Sequence, residues 1–159
     1  VLISALGGFW FLELEFAETA ATSNVTTEKV DAAELWGDAP GELEEIPWVH
    51  FTEESVAAQA GSPVFIDFTA EWCLTCKVNE KTILNTSGVR ESMAENGIIP
   101  LKADWTNKDE TITTWLQRYG KAGVPFYLVI PADPSAAPIP LPEVITPDLV
   151  KESLVKAAG

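Results

Sequence analysis

The chain has 159 residues, 47% of them hydrophobic, enough to bury a core of ordinary size without covalent staples. Its net charge of −14 is uneven: residues 13 to 60 hold 12 of the 24 acidic residues against Lys29 as the only base, while the remainder from 61 onward is close to balance. Such an acidic surface excludes nucleic acid and anionic lipid as partners, and no basic patch, glycine-rich phosphate loop or internal repeat is present.

The first twelve residues, VLISALGGFWFL, carry no charge. A bilayer crossing takes about 20 residues, and the basic start and small-residue cleavage site of a signal peptide are missing. We read residues 1–12 as the end of a transmembrane helix, with Phe9, Trp10 and Phe11 at the interface. The alternation in LELEF, residues 12–16, keeps a buried strand or helix open as the alternative. Residues 13–45 read as an acidic linker rich in Ala, Thr and Glu, broken by Gly37, Pro40 and Gly41, with one helical turn near Val30 to Trp36.

A domain is expected over residues 46–159. Pro47 to Phe51 begins its ordered part, and Thr52, with Glu54 and Ser55 behind it, introduces a short helix up to Ala60. VFIDFT, residues 64–69, follows a Gly-Ser-Pro turn and reads as a strand buried on both faces. A helix is predicted from about Cys73 to Leu84, a strand over Ile98 to Ala103, and a helix over Glu110 to Tyr119 closed by Gly120. FYLVI, residues 126–130, is a third strand, and IPLPEVIT offers a fourth, placed at an edge by its prolines. Pro147 and Asp148 open a last helix through Lys156. The order strand, helix, strand, helix, strand, strand, helix gives an α/β layer around a small mixed sheet.

Cys73 and Cys76 stand two residues apart at the predicted helix start, behind Trp72. Zinc needs four ligands and this chain offers only these two and His50, so no metal is expected. A structural bridge closing so short a loop removes little unfolded-state entropy. Redox chemistry accounts for position as well as spacing. A sulfur at a helix N-terminus has its thiolate stabilised by free N–H groups, and a second sulfur one turn on can resolve the mixed disulfide. Cys73 is then the attacking sulfur and Cys76 the resolving one.

VFIDFTAEWCLTCK resembles the strand, acid and WCxxC of the thioredoxin superfamily, and GVPFYLVI, residues 123–130, resembles its cis-proline segment. CKVNEKT, LKADWT and LPEVITPDLV are similar more narrowly to the C-terminal periplasmic domain of the thiol:disulfide interchange protein DsbD family, over about residues 46–157. The fold this implies is α/β and thioredoxin-like, a small mixed β-sheet flanked by helices. The implied activity is that of a protein-disulfide reductase at the periplasmic face of a bacterial inner membrane. It would take electrons from a membrane-embedded cysteine-pair domain of the same polypeptide and pass them to periplasmic thiol-disulfide proteins. No cofactor is implied, because the Cys73–Cys76 couple holds the two electrons. An independent membrane-tethered reductase of the cytochrome c maturation type, or a redox-inert peptide-binding module, are the alternatives.

Five further residues complete the expected site. Asp67, six residues before Cys73 in an apolar strand, is read as buried with its pKa raised, suited to exchange a proton with Cys76; an edge position facing solvent is the alternative. Glu80 shares a helix face with both cysteines by spacing. Alone it reads as a solvated glutamate, whereas the resemblance implies an acid beside the sulfurs; the charges of Glu80 and Asp67 together are then expected to keep Cys73 protonated until a partner docks. The resemblance makes Val124–Pro125 a cis peptide whose Val124 backbone pairs with a partner's extended segment. Trp72 either shields the site and docks partners or is plain core packing.

Overall fold

The computed structural model describes residues 27 to 159; the apolar segment 1–12 and the acidic stretch as far as residue 26 lie outside the described residues. Five strands form one mixed sheet: β1 (Val49–His50), β2 (Val64–Thr69), β3 (Ile99–Asp104), β4 (Phe126–Ile130) and β5 (Ile139–Leu141), in the spatial order β1-β3-β2-β4-β5. The β1, β3 and β2 strands run parallel, and β4 and β5 antiparallel to their neighbours. All six residues of β2 are buried, as a central strand covered on both faces requires.

Side chains alternate across a strand, so Phe65, Asp67 and Thr69 share one face of β2 and Val64, Ile66 and Phe68 the other. The first face packs with Leu84, Met93 and Leu154; the second packs with Ile112, Trp115 and Leu116. Helices α3 (Leu74–Asn79), α4 (Ser87–Glu95) and α6 (Pro147–Ala158) cover the first, and α5 (Glu110–Arg118) covers the second. Helix α2 (Glu53–Ala58) starts from a reciprocal cap in which Thr52 and Ser55 each accept the other's backbone N–H. The helix after Cys73 runs to Leu84 as expected, but widens at Glu80–Leu84, where the Asn85 N–H reaches back five residues to the Glu80 carbonyl at 2.7 Å.

Among the strands and α-helices, two have no counterpart in the sequence reading: the two-residue edge strand β1, and α4. Helix α4 buries Arg90 and Ser92 alongside Val89 and Met93, which blurs its apolar period. Arg90 is satisfied there by carbonyls, donating to Pro40 (3.2 Å), Gly41 (2.8 Å) and Asn85 (2.9 Å).

Two of those carbonyls belong to a stretch expected to be linker, and the described part of it, residues 27–45, is instead packed against the domain. Asp31 caps α1 (Ala32–Trp36), whose Trp36 is buried and donates from Nε1 to the Ile98 carbonyl at 2.8 Å. The buried Gln59 amide clamps the segment just before it, accepting from the Val30 N–H at 2.9 Å and donating to the Glu28 carbonyl at 3.0 Å.

Candidate active site

Cys73 is the N-cap of α3, in extended backbone, with its own N–H bonded to the Ala70 carbonyl and its Sγ accepting the Cys76 N–H at 3.2 Å. The two cysteines are joined as a disulfide with Cα atoms 5.3 Å apart. They are not equivalent: Cys73 keeps 7% of its surface exposed and Cys76 none. An incoming sulfur therefore reaches Cys73 and not Cys76, the asymmetry that attack followed by resolution requires.

The acid pair lies below. Asp67 is fully buried, and neither of its carboxylate oxygens has a hydrogen-bond donor among the described residues. Burial first, and the charge of Glu80 second, hold its carboxyl well above the ordinary carboxylate range, with Lys102 opposing. Glu80 is partly covered: its Oε1 accepts from the Thr69 hydroxyl at 2.8 Å and its Oε2 meets Lys102 Nζ at 3.5 Å.

Sheet register explains this cluster. Asp67 is paired with Lys102 on β3 and with Tyr127 on β4, so three polar side chains form one row across the sheet. The Tyr127 hydroxyl accepts from Asn79 Nδ2 at 3.0 Å, and its acidity is suppressed by burial first and Asp67 second.

Above the sulfurs, the Val124–Pro125 peptide is cis, and Val124 packs against Cys73, Cys76 and Ala70. Trp72 is 54% exposed, which sets aside core packing; its Nε1 donates to the Thr106 carbonyl at 3.0 Å and its ring tilts against Trp105, 5.9 Å away.

The structure thus brings Cys73, Cys76 and Val124 into one cluster, and sets Asp67 on β2 within electrostatic reach of Glu80 on the helix that follows Cys73. The edge-strand alternative for Asp67 is set aside by its central position, and a fully solvated Glu80 by the two partners it holds. Lys102, Thr69, Asn79 and Tyr127 were not singled out from the sequence. Lys102 carries a readable signal, a lone charge within the apolar run IIPLKA, of the same kind as that of Asp67 within VFIDFT.

A thioredoxin-like family model matches residues 52–132. The thiol:disulfide interchange protein DsbD of Ralstonia nicotianae is 31% identical over 83 residues, 52% of this chain and 13% of that protein. DsbD 1 of Pseudomonas aeruginosa is 35% identical over 72 residues, 45% of this chain and 12% of that protein. Among solved structures, the oxidised C-terminal domain of Neisseria meningitidis DsbD superposes with a TM-score of 0.50 at 26% identity, covering 60% of this chain and 80% of that one. A thioredoxin from Thermus thermophilus shares the fold, with a TM-score of 0.53 at 17% identity over 69% of this chain and 85% of that one.

Proposed function

The chain belongs to the thioredoxin-like family, and on that premise we propose that it is a protein-disulfide reductase domain working by dithiol/disulfide exchange. Its electrons come from a membrane-embedded cysteine-pair domain of the same polypeptide and go to periplasmic thiol-disulfide proteins, at the periplasmic face of a bacterial inner membrane. The observation that carries this is the unequal sulfur pair: Cys73 reachable at a helix N-terminus, Cys76 sealed one turn on. The kinship with DsbD C-terminal domains supports the partner assignment. The chain matches only about an eighth of the length of the full DsbD proteins, and no helix among the described residues is long and apolar enough to cross a membrane.

In this reading a thiolate at Cys73 attacks a substrate disulfide, forming a mixed disulfide and expelling the substrate's other sulfur as thiolate. Cys76 then attacks Cys73, closing the internal disulfide and releasing the reduced substrate. Asp67 takes the Cys76 proton, while Glu80 and Asp67 together disfavour a free thiolate at Cys73 until a partner docks. Val124, Pro125 and Trp72 form the surface on which the partner's extended segment lies. The two sulfurs hold both electrons, so the proposal needs no metal or organic cofactor.

The test is the reduction potential of the Cys73–Cys76 couple, from equilibration of the chain with glutathione or dithiothreitol buffers, alongside insulin reduction. A value near the thioredoxin end, about −270 mV, with insulin turnover is expected. A value near the oxidising end, about −120 mV, would make the domain a disulfide donor and reverse the direction of flow. Absence of insulin turnover would favour a peptide-binding module.

A further inference from the structure

Trp72 leaves more than half of its surface exposed, yet the loop that carries it is tied down. That loop runs from the end of β2 to Cys73 and lies against the turn that follows β3, residues 105–108. Three hydrogen bonds join the two. The Trp105 N–H donates to the Thr69 carbonyl at 2.7 Å, the Glu71 N–H to Thr106 Oγ1 at 2.9 Å, and Trp72 Nε1 to the Thr106 carbonyl at 3.0 Å.

The turn itself is held in one shape. Asp104 Oδ1 accepts from the Thr106 N–H, at 2.9 Å, and from the Thr106 hydroxyl, and the Lys108 N–H closes on the Trp105 carbonyl at 2.9 Å. Lys108 sits in the left-handed region with φ 52°, a conformation that a residue with a Cβ keeps only where its surroundings impose it. The Thr106 hydroxyl is used in both directions, as donor to Asp104 and as acceptor from Glu71. Trp105 carries the same turn under the other half of the surface. Its ring packs against Trp72, centroids 5.9 Å apart, and a Cβ on Gly123, the residue before the cis peptide, would lie 3.4 Å from its Cζ3. Its own Nε1 is fixed by Thr113 Oγ1 of α5 at 2.8 Å. Trp105 is therefore a common floor for Trp72 and the cis-proline loop.

We propose that Thr106 is a positioning residue for partner docking: its hydroxyl and carbonyl hold the Glu71–Trp72 loop so that Trp72 and the cis-proline loop, both resting on Trp105, form one preformed surface for a partner's extended segment. This rests on the exchange chemistry proposed above and names a residue that sets its affinity for protein disulfides. With its N–H already donated to Thr106, the Trp72 indole offers a partner only apolar ring surface. A loosely held Trp72 would have to be ordered at each encounter, which weakens binding. The Thr106 hydroxyl bonds to Asp104 and Glu71 and not to the sulfurs, so its loss spares the exchange step.

The test compares wild type, Thr106→Val and Thr106→Ser as the full chain, in dithiothreitol-driven insulin reduction with insulin varied. Valine keeps the shape of the side chain and removes the hydroxyl, whereas serine keeps the hydroxyl. In Thr106→Val the KM for insulin should rise about threefold to tenfold with kcat within about twofold of wild type, and Thr106→Ser should restore it. Direct reduction of the Cys73–Cys76 disulfide by dithiothreitol, too small to use the docking surface, should keep its wild-type rate in all three. An unchanged KM in Thr106→Val overturns the proposal. So does an equal fall in kcat and in the dithiothreitol rate, which would place the effect at the sulfurs.

Hydrogen exchange of the wild-type chain, followed by NMR, gives a reading that does not depend on how the variants fold. The Trp72 indole N–H and the Glu71 N–H should exchange at least about tenfold more slowly than in the unfolded chain, and exchange at the unfolded rate overturns the assignment. Failure of the functional reading has a separate signature, an oxidising potential or no insulin turnover by wild type with both N–H groups protected.

Discussion

Burying Asp67 in the middle of β2 makes the fold sensitive to pH at a single carboxyl. Its folded-state pKa is raised, by burial first and Glu80 second, so between the unfolded value near 4 and the folded value the native chain binds a proton that the unfolded chain has released. Its effect on stability is therefore absent below about pH 4 and grows as a loss while pH rises toward the folded value. Asp67→Asn cannot ionise. Urea unfolding should show the variant more stable than wild type by about 1 to 3 kcal/mol at pH 8, with the gap closing near pH 4. A gap that does not change with pH would mean that Asp67 does not ionise differently in the two states. At this scale the cysteines were readable from spacing, because sulfurs three apart at a helix start meet through local geometry alone. Asp67 was readable because a charge inside an apolar strand is conspicuous. Lys102 and Tyr127 acquired their roles only through register, which pairs residues 35 and 60 positions away with Asp67.

Among the elements, the stretch from residue 27 to 45 departs furthest from its sequence reading. Its acidic, breaker-rich composition reads as a tether, and its fully buried anchor, Trp36, says nothing locally about where it docks. In the fold Trp36 fills a core position shared with Leu84, Val89 and Met93 and hydrogen-bonds the Ile98 carbonyl. Trp36→Ala should cost about 3 to 5 kcal/mol, lowering the thermal midpoint by roughly 10 °C by circular dichroism. The rate of disulfide reduction by dithiothreitol should stay unchanged, because Ile98 precedes β3 at the end of the sheet away from Cys73. An unchanged melting temperature would show that this segment is not part of the folded unit. Helix α4 has no counterpart in the sequence reading for a related reason: its buried face includes Arg90, whose burial is tolerated because carbonyls of this same segment and of Asn85 accept from it.

Over the whole molecule, charge and site are separated along the chain. The acidic half before residue 60 carries most of the −14, while the sulfurs lie in the nearly neutral remainder. The long-range field still repels anions, and salt screens it over about 10 Å at 0.1 M. Reduction of the disulfide by glutathione, whose attacking thiolate form carries a net charge of about −2, should therefore speed up roughly twofold between 10 and 150 mM salt, while reduction by dithiothreitol, whose attacking thiolate carries a single charge, should change less. Equal salt dependence for the two reagents would mean the field does not reach Cys73.

The sequence alone settled the order of most elements, the sulfur couple at a helix start and the misplaced acid in the central strand, because each depends on residues within one or two turns of one another. Tertiary structure decided which sulfur is reachable, which charges surround Asp67, and that the acidic segment after residue 26 belongs to the domain. Those outcomes depend on strand register and on burial by distant residues, and one sheet row that places a lysine, an aspartate and a tyrosine side by side leaves no trace in local spacing.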